Sequence, residues 1–242
     1  MAIDDNRASR DAVLARVRAA LGRRGGDDEA RAAAQGYLAA RRQGPRPALP
    51  ADLPQHFLTR ATDMESTVER VAAPDEVPPA VARYLASIAA ALQVSSEGGR
   101  GGAAGAAQSG PGFPSGVCWP ELATLGWTTA GMSVESRPTV GHDALGITGC
   151  FCAIAETGTL VFVSGIETPS GTFLLPETHV AIVRADQVVA GMEEAFARIR
   201  DAHGSLPRAV NLVSGPSRTG DIEQTIVLGA HGPRRLHIVL VG

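Results

Sequence analysis

Apolar positions in the second half of the chain fall into short runs that predict strands. These runs lie at residues 67–71, 117–119, 149–155, 159–163, 179–183, 209–213 and 236–241. Between them, residues 79–92 and 188–200 place apolar side chains at the spacing of a helix face. Strands that alternate with helices predict an α/β fold. We therefore expect an α/β domain over residues 65–242, built on a Rossmann-like sheet with helices on both faces.

The first part of the chain has a different pattern. Val13, Leu14, Val17 and Leu21 repeat at helical spacing, and residues 29–43 form an Ala- and Arg-rich segment that predicts a second helix. Neither helix has enough apolar surface for a core of its own, so we interpret residues 1–64 as an N-terminal helical arm. Residues 1–46 carry ten arginines and six acidic residues, whereas the whole chain has a net charge of −3. The arm could dock on the acidic body or face an acidic partner.

Residues 97–112 are almost entirely Gly, Ala and Ser, which predicts a flexible loop. A glycine-rich phosphate cradle is the alternative. We disfavour it because no clear strand precedes the segment and no helix start follows it.

Composition excludes several kinds of chemistry. The chain contains no lysine, which excludes a Schiff-base lysine, lysine-anchored pyridoxal phosphate and a P-loop. Cys118, Cys150 and Cys152 are too few for a four-thiolate cluster and lack zinc-knuckle spacing, so we expect buried free thiols and no cofactor. No run reaches membrane-spanning length and no apolar signal core begins the chain, which indicates a cytoplasmic protein. An acidic body and a basic arm without interleaved aromatics argue against nucleic-acid binding.

A dense polar stretch follows the predicted strand at 209–213. It reads Ser214-Gly-Pro-Ser-Arg-Thr-Gly-Asp-Ile-Glu223. Ligands of open α/β sheets bind beyond the carboxyl ends of strands, so this stretch is a candidate ligand site. Its candidate binding residues are Ser214, Gly215, Ser217, Arg218, Thr219, Asp221 and Glu223. Arg218 can anchor a carboxylate or phosphate, or instead pair with Asp221 or Glu223 to stiffen the turn.

A second candidate group lies in the turn between the apolar runs at 149–155 and 159–163, a pattern typical of a β-hairpin. Glu156 is a candidate nucleophile or base if burial raises its pKa, and Thr157, Gly158 and Thr159 would share its pocket. Alternatively, Glu156 and Thr157 only tie the turn together by hydrogen bonds.

Two histidines complete the candidates. His231 precedes the last predicted strand and is a candidate proton carrier or a simple turn residue. We expect His179, which opens a predicted strand, to be structural. With Asp221 and Glu223 these histidines lack the spacing of metal ligands, so we predict no metal site.

Three stretches together resemble the LUD family. They are Gly146-Ile-Thr148 with Ala155-Glu-Thr-Gly-Thr159, then Leu175-Pro-Glu-Thr-His-Val180, and finally the 214–223 stretch with Gly229-Ala-His-Gly-Pro233. The resemblance implies a fold similar to the glucosamine-phosphate isomerase, ribose-phosphate isomerase and CoA-transferase group. It also implies a role in oxidising L-lactate to pyruvate beside companion proteins that carry iron–sulfur clusters.

Two functions follow from that resemblance. The first is an accessory or regulatory subunit with a site for a small carboxylate or phosphate. The alternative is a stand-alone enzyme that acts on a CoA ester, sugar phosphate or hydroxy acid, with Glu156 as nucleophile or base, because CoA-transferases of the related fold use a glutamate nucleophile. Either function leads us to expect that the three stretches converge on one cleft.

Overall fold

The structure is a computed structural model that describes residues 3–22, 28–42, 44–96, 115–140, 143–222, 225–229 and 231–242. It divides into two compact units, Met1–Arg46 and Pro47–Gly242. The predicted glycine-rich loop at 97–112 lies outside the described residues.

The helices of the described chain are, in order, α1 (Ile3–Ala20), α2 (Asp28–Ala40), α3 (Leu53–Asp63), α4 (Val77–Ser96), α5 (Gly171–Leu174) and α6 (Met192–His203). α1 and α2 correspond to the two helices predicted for the arm, with α1 beginning earlier than the apolar spacing indicated. None of these described helices combines the length and apolar character that a bilayer crossing requires.

α3 belongs to the second unit, so the arm is shorter than the predicted 1–64. The Asp52 side chain caps the helix by accepting a hydrogen bond from the backbone N–H of Gln55 at 3.0 Å. Its inner face buries Phe57, Leu58 and Ala61 in the core of that unit. This burial is what the sequence analysis missed when it placed the boundary after residue 64.

The strands are β1 (Thr67–Val71), β2 (Gly116–Cys118), β3 (Val134–Ser136), β4 (Leu145–Thr148), β5 (Cys152–Ile154), β6 (Thr159–Val163), β7 (Thr178–Arg184), β8 (Val188–Val189), β9 (Val210–Val213), β10 (Arg218–Ile222), β11 (Thr225–Leu228) and β12 (Arg235–Val241). Six of them form the main sheet in the order β1-β12-β7-β4-β2-β3, and every neighbouring pair is parallel. The predicted α/β fold is therefore confirmed.

Apolar side chains cover both faces of the main sheet, as a parallel sheet requires. Along β7, Ile182 belongs to the apolar cluster that also holds Leu85 of α4. The next residue, Val183, belongs to the cluster on the other face, together with Phe57 of α3. Successive strand residues point to opposite faces, so this alternation places α4 and α3 on the two sides of the sheet.

A second, four-stranded sheet has the order β8-β5-β6-β9. β5 and β6 are antiparallel, which confirms the predicted hairpin, and α6 buries Ala195 and Ile199 against this sheet. The helix predicted from residue 188 begins only at Met192, because Val188 and Val189 pair with β5 instead.

β9 corrects one assumption of the sequence analysis. It pairs antiparallel with β6 in the second sheet and is only half buried, with Leu212 exposed. The stretch that follows β9 therefore does not lie at the carboxyl edge of the parallel sheet.

Candidate functional site

The turn between β5 and β6 is pressed directly against α3. Gly158 has a φ of +65°, and a Cβ on it would lie 2.4 Å from the backbone nitrogen of Ala61. Glycine meets both requirements, since it has no Cβ and adopts positive φ without a steric cost. The close approach fixes Thr157 and Thr159 beside the end of α3.

A chain of hydroxyl groups joins this turn to the segment after β9. Thr157 Oγ1 lies 2.6 Å from Thr159 Oγ1, which lies 2.7 Å from Ser214 Oγ. Thr159 is 4% exposed, so the middle of the chain is shielded from water. The hydrogen bonds bring two of the predicted stretches together, although they are far apart in sequence.

The predicted binding turn at 214–218 also contacts the end of α3. Gly215 has a φ of +79°, and a Cβ there would lie 2.1 Å from the carbonyl oxygen of Met64. Arg218, which begins β10, forms an ion pair with Glu65. The sequence analysis named Asp221 and Glu223 as the alternative partners. Glu65 was missed because it lies far earlier in the sequence and only the fold brings it beside Arg218. Glu223 and the side chains of Thr219 and Asp221 lie outside the described part of the molecule.

Ser217 connects the same turn to the segment before β12. Its backbone N–H donates to the carbonyl of Pro233 at 2.8 Å, and its Oγ accepts from the backbone N–H of His231 at 3.3 Å. His231 therefore lies beside the 214–218 turn, as expected, even though β9 and β12 belong to different sheets. It is exposed to solvent.

A cavity of about 220 Å³ opens between this turn and the amino ends of β1 and β12. We call it the motif cavity, and its lining residues are Glu65, Thr67, Tyr84, Ile88, Pro216, Arg234, Arg235 and Leu236. Of the residues in the three quoted stretches, Pro216 lines this cavity. The cavity lies at the amino end of the main sheet, opposite the edge that α/β proteins ordinarily use for ligands.

Glu177 holds the two arginines of the motif cavity in place. Its backbone carbonyl accepts from the N–H groups of Arg234 and Arg235 at 2.9 and 3.1 Å. Its carboxylate lies 3.1 Å from Arg235 Nη2 and 3.8 Å from Arg234 Nη1, while Arg235 Nη1 donates to Thr178 Oγ1 at 3.1 Å. The guanidinium of Arg235 is consequently oriented before any ligand arrives.

The inner wall of the cavity is neutral. Tyr84 stacks on His237 with ring centroids 4.0 Å apart, and Thr67 Oγ1 lies 2.9 Å from His237 Nδ1. Burial raises the pKa of Tyr84 and lowers the pKa of His237 to about 4, so both rings are uncharged near neutral pH. Positive charge in the cavity therefore comes from its arginines.

His179 lies in the core rather than in the cavity. Its Nε2 is 2.8 Å from Thr148 Oγ1, and burial lowers its pKa to about 3. It packs near the rings of Phe162 and Phe173. Across the described residues, no group of three His, Cys, Asp or Glu side chains is arranged to hold a metal ion.

Glu156 is half buried in the turn, and its backbone N–H donates to the carbonyl of Ala190 at 3.1 Å. Within the described chain, no hydrogen bond or ion pair engages its carboxylate. Its role as nucleophile or base stays a prediction.

A family model described as the LUD domain matches residues 122–241. This match contains all three sequence stretches. The chain therefore carries a LUD domain over residues 122–241. It is 37% identical over 127 residues to lactate utilization protein C of Deinococcus radiodurans, an alignment that covers 48% of this chain and 58% of that protein. It is 35% identical to lactate utilization protein C of Bacillus subtilis, covering 51% of this chain and 53% of the relative. The alignments thus span little more than half the length of these curated relatives.

A solved structure resembles this chain in its fold. A DUF162 family protein from Deinococcus radiodurans superposes with a TM-score of 0.52 at 25% identity, covering 81% of this chain and 100% of that one. This likeness extends the comparison beyond the residues that the LUD model matches.

Several cavity residues were missed by the sequence analysis. They are Glu65, Thr67, Tyr84, Arg234 and Arg235. Glu177, which pairs with the two arginines, lay in a quoted stretch but was not named as a site residue. The tandem arginines directly before an apolar run were a usable signal, since charged groups at a strand end face solvent or a ligand. Glu65, Thr67 and Tyr84 precede the LUD match and gave no local signal, because only the pairing of β1 with β12 brings them to the site.

Proposed function

We propose that this protein serves in lactate utilization and binds a small organic anion, such as lactate or pyruvate, in the motif cavity. The observation that carries the proposal is the pair Arg234 and Arg235 at the wall of a small cavity beside the LUD sequence stretches. The names of the curated relatives supply the link to lactate utilization.

The size of the cavity favours a small ligand. Its volume of about 220 Å³ falls below the roughly 300–1,000 Å³ typical of pockets for drug-sized molecules. A three-carbon carboxylate or a phosphate fits such a volume, whereas a whole CoA ester does not. This argues for the accessory small-anion function over the alternative enzyme that acts on CoA esters.

The charges around the cavity favour an anion. Arg218 is paired with Glu65, and Arg234 and Arg235 share one glutamate, Glu177. Among the described residues, these three arginines are thus balanced by only two carboxylates, which leaves a net positive charge for an anion. An arginine that is already oriented by one carboxylate binds a second anion at a lower entropic cost, because its fork is preorganised.

Anion binding by calorimetry tests the proposal, with lactate, pyruvate, phosphate and CoA each titrated into the wild-type protein. Arg234→Gln removes a half-exposed guanidinium that is only loosely paired, so we expect normal folding and a loss of about 1.5–3 kcal/mol of binding free energy. Arg235→Gln should lose as much affinity and also some stability, because Arg235 ties Glu177 to Thr178. Arg208→Gln, at an exposed arginine ahead of β9, is the matched control and should bind normally. Equal affinity in the wild type and Arg234→Gln, or no binding of the three small anions, would refute the site.

A second assay tests the accessory role and the companion iron–sulfur proteins that we propose for it. Lactate oxidation is measured with this protein alone, with its companions alone and with all of them. We expect turnover only in the combined sample. Turnover by this protein alone, abolished by Glu156→Gln, would instead support a stand-alone enzyme.

A further inference from the structure

A second cavity lies at the opposite, carboxyl end of the main sheet. Its volume is about 450 Å³. Loops that follow β2 and β4 supply Trp119, Glu121 and Phe151, and residues beyond β7 supply Gln187, Arg198 and His203. The end of β6 and its loop complete the wall. We call this cavity the carboxyl-end crevice. None of the predicted site residues lines it.

The walls of the crevice are held rigidly. The Gln187 side chain donates to the carbonyl of Cys150 at 3.0 Å and accepts from the backbone N–H of Arg184 at 3.0 Å. Ser164 Oγ accepts from the backbone N–H of Ala209 at 2.9 Å, and Thr168 Oγ1 donates to the carbonyl of Val163 at 2.7 Å. These bonds connect the loops of both sheets into one preformed wall.

One side of the crevice combines an aromatic ring with a cation. The guanidinium carbon of Arg198 lies 5.9 Å from the centre of the Phe151 ring. The centre of the His203 ring lies 5.7 Å from the centre of the same Phe151 ring. Arg198 Nη1 donates a hydrogen bond to the carbonyl of Asp186 at 3.3 Å. An arginine has five N–H donors in a fork, so Arg198 retains donors for an anionic group.

The other side carries the Glu121 carboxylate, whose position requires a glycine at residue 149. A Cβ on Gly149 would lie 2.0 Å from Glu121 Oε1, so the Glu121 carboxylate packs against bare backbone at the end of β4. Glu121 also lines a cavity of about 250 Å³ on the far side, which shares Gln187 with the crevice. A carboxylate can only accept hydrogen bonds, so Glu121 suits a ligand that carries N–H or O–H groups.

From this arrangement we infer that the carboxyl-end crevice binds a nucleoside monophosphate or a ligand of the same chemistry: a planar ring, hydroxyl or amino donors and one anionic group. Phe151 offers apolar ring surface beside Trp119, which is 3% exposed; Glu121 accepts from the donors, and Arg198 pairs with the phosphate. The volume of about 450 Å³ lies within the range for ligands of that size. The site is separate from the motif cavity and does not rest on the function proposed there.

Binding of AMP by equilibrium dialysis tests the inference. Arg198→Gln should weaken binding about 10- to 100-fold, the loss expected for a charge-assisted hydrogen bond. Ala202→Leu fills the crevice from an exposed position on α6, where leucine is a good helix former, and should abolish binding without unfolding the protein. Adenosine, which lacks the phosphate, should bind more weakly than AMP. Inorganic phosphate should also bind more weakly when it is tested on Arg234→Gln protein, whose motif cavity is impaired.

Two controls separate this site from the motif cavity. Arg60→Gln removes an exposed arginine that pairs with Asp63 at 2.8 Å, away from the crevice, and should leave AMP binding unchanged. Arg234→Gln should likewise leave AMP binding unchanged, and Arg198→Gln should leave lactate binding unchanged. Wild-type protein that fails to bind AMP at millimolar concentration, or folded Ala202→Leu protein that binds it as wild type does, would overturn the inference.

Discussion

Gly158→Ala tests whether the turn before β6 is held against α3 as described. The alanine would keep a φ near +65°, which costs about 1–2 kcal/mol for a residue with a Cβ. Its Cβ would also lie 2.4 Å from the nitrogen of Ala61 and 2.5 Å from the carbonyl carbon of Arg60. Both contacts are backbone, so a side-chain rotation cannot relieve them, and overpacking of this kind costs about 1–3 kcal/mol.

The two contributions predict a loss of about 2–5 kcal/mol in the free energy of unfolding. For a protein of this size each kcal/mol lowers the melting temperature by about 2–4 °C. Gly204→Ala is the matched control, because Gly204 has a φ of +69° but nothing within 4 Å of its added Cβ. Thermal and urea unfolding of both variants should show a clearly larger loss for Gly158→Ala. Equal losses would mean that α3 does not press on the turn, and the account of the hydroxyl chain would fail with it.

Two further predictions concern buried titratable groups. Burial lowers the pKa of His179 to about 3 and of His237 to about 4, so below pH 6.5 the unfolded chain takes up protons that the folded protein excludes. Urea titrations between pH 7 and 4 should show the free energy of unfolding falling by up to about 1.4 kcal/mol per pH unit for each histidine. His179→Gln should make this dependence on pH less steep. A variant with the same pH dependence as the wild type would contradict the prediction. Burial also raises the pKa of Cys118 and Cys152 to about 11, and raises that of Cys150 further. All three thiols should therefore react slowly with a disulfide reagent in the folded protein and promptly in urea, and one fast thiol in the native state would show that it is accessible.

The sequence predicted the parts of the fold that depend on local pattern. β7 and β12 are apolar along nearly their whole length because both faces of a parallel sheet are covered, and such runs are visible in one sequence. Val210–Val213 has the same apolar character but pairs with β6 in the second sheet. Composition does not distinguish these cases, because sheet membership is decided by partners far along the chain.

The same limit applies to the candidate site. The residues from 156 to 159 and from 214 to 218 were predicted because polar and glycine residues interrupt apolar runs there. Tyr84 and Arg235 were not, since each is an ordinary residue of its own helix or strand. They come together because Thr67 on β1 pairs with His237 on β12. A site assembled by parallel pairing over such a separation leaves no mark in either local segment.

The position of β12 also has a consequence for the order in which the protein can fold. β12 lies between β1 and β7, and Thr67 contacts His237 across 170 positions of sequence. During synthesis, β1 therefore waits for its neighbour until residues 235–241 have left the ribosome, a delay of roughly 10–30 s at ordinary elongation rates. Until then the edges of β1 and β7 expose unpaired backbone and apolar side chains. In that interval we expect the nascent chain to bind chaperones, and we expect the closing of the main sheet to be a late, slow step, as is typical of non-local strand pairing.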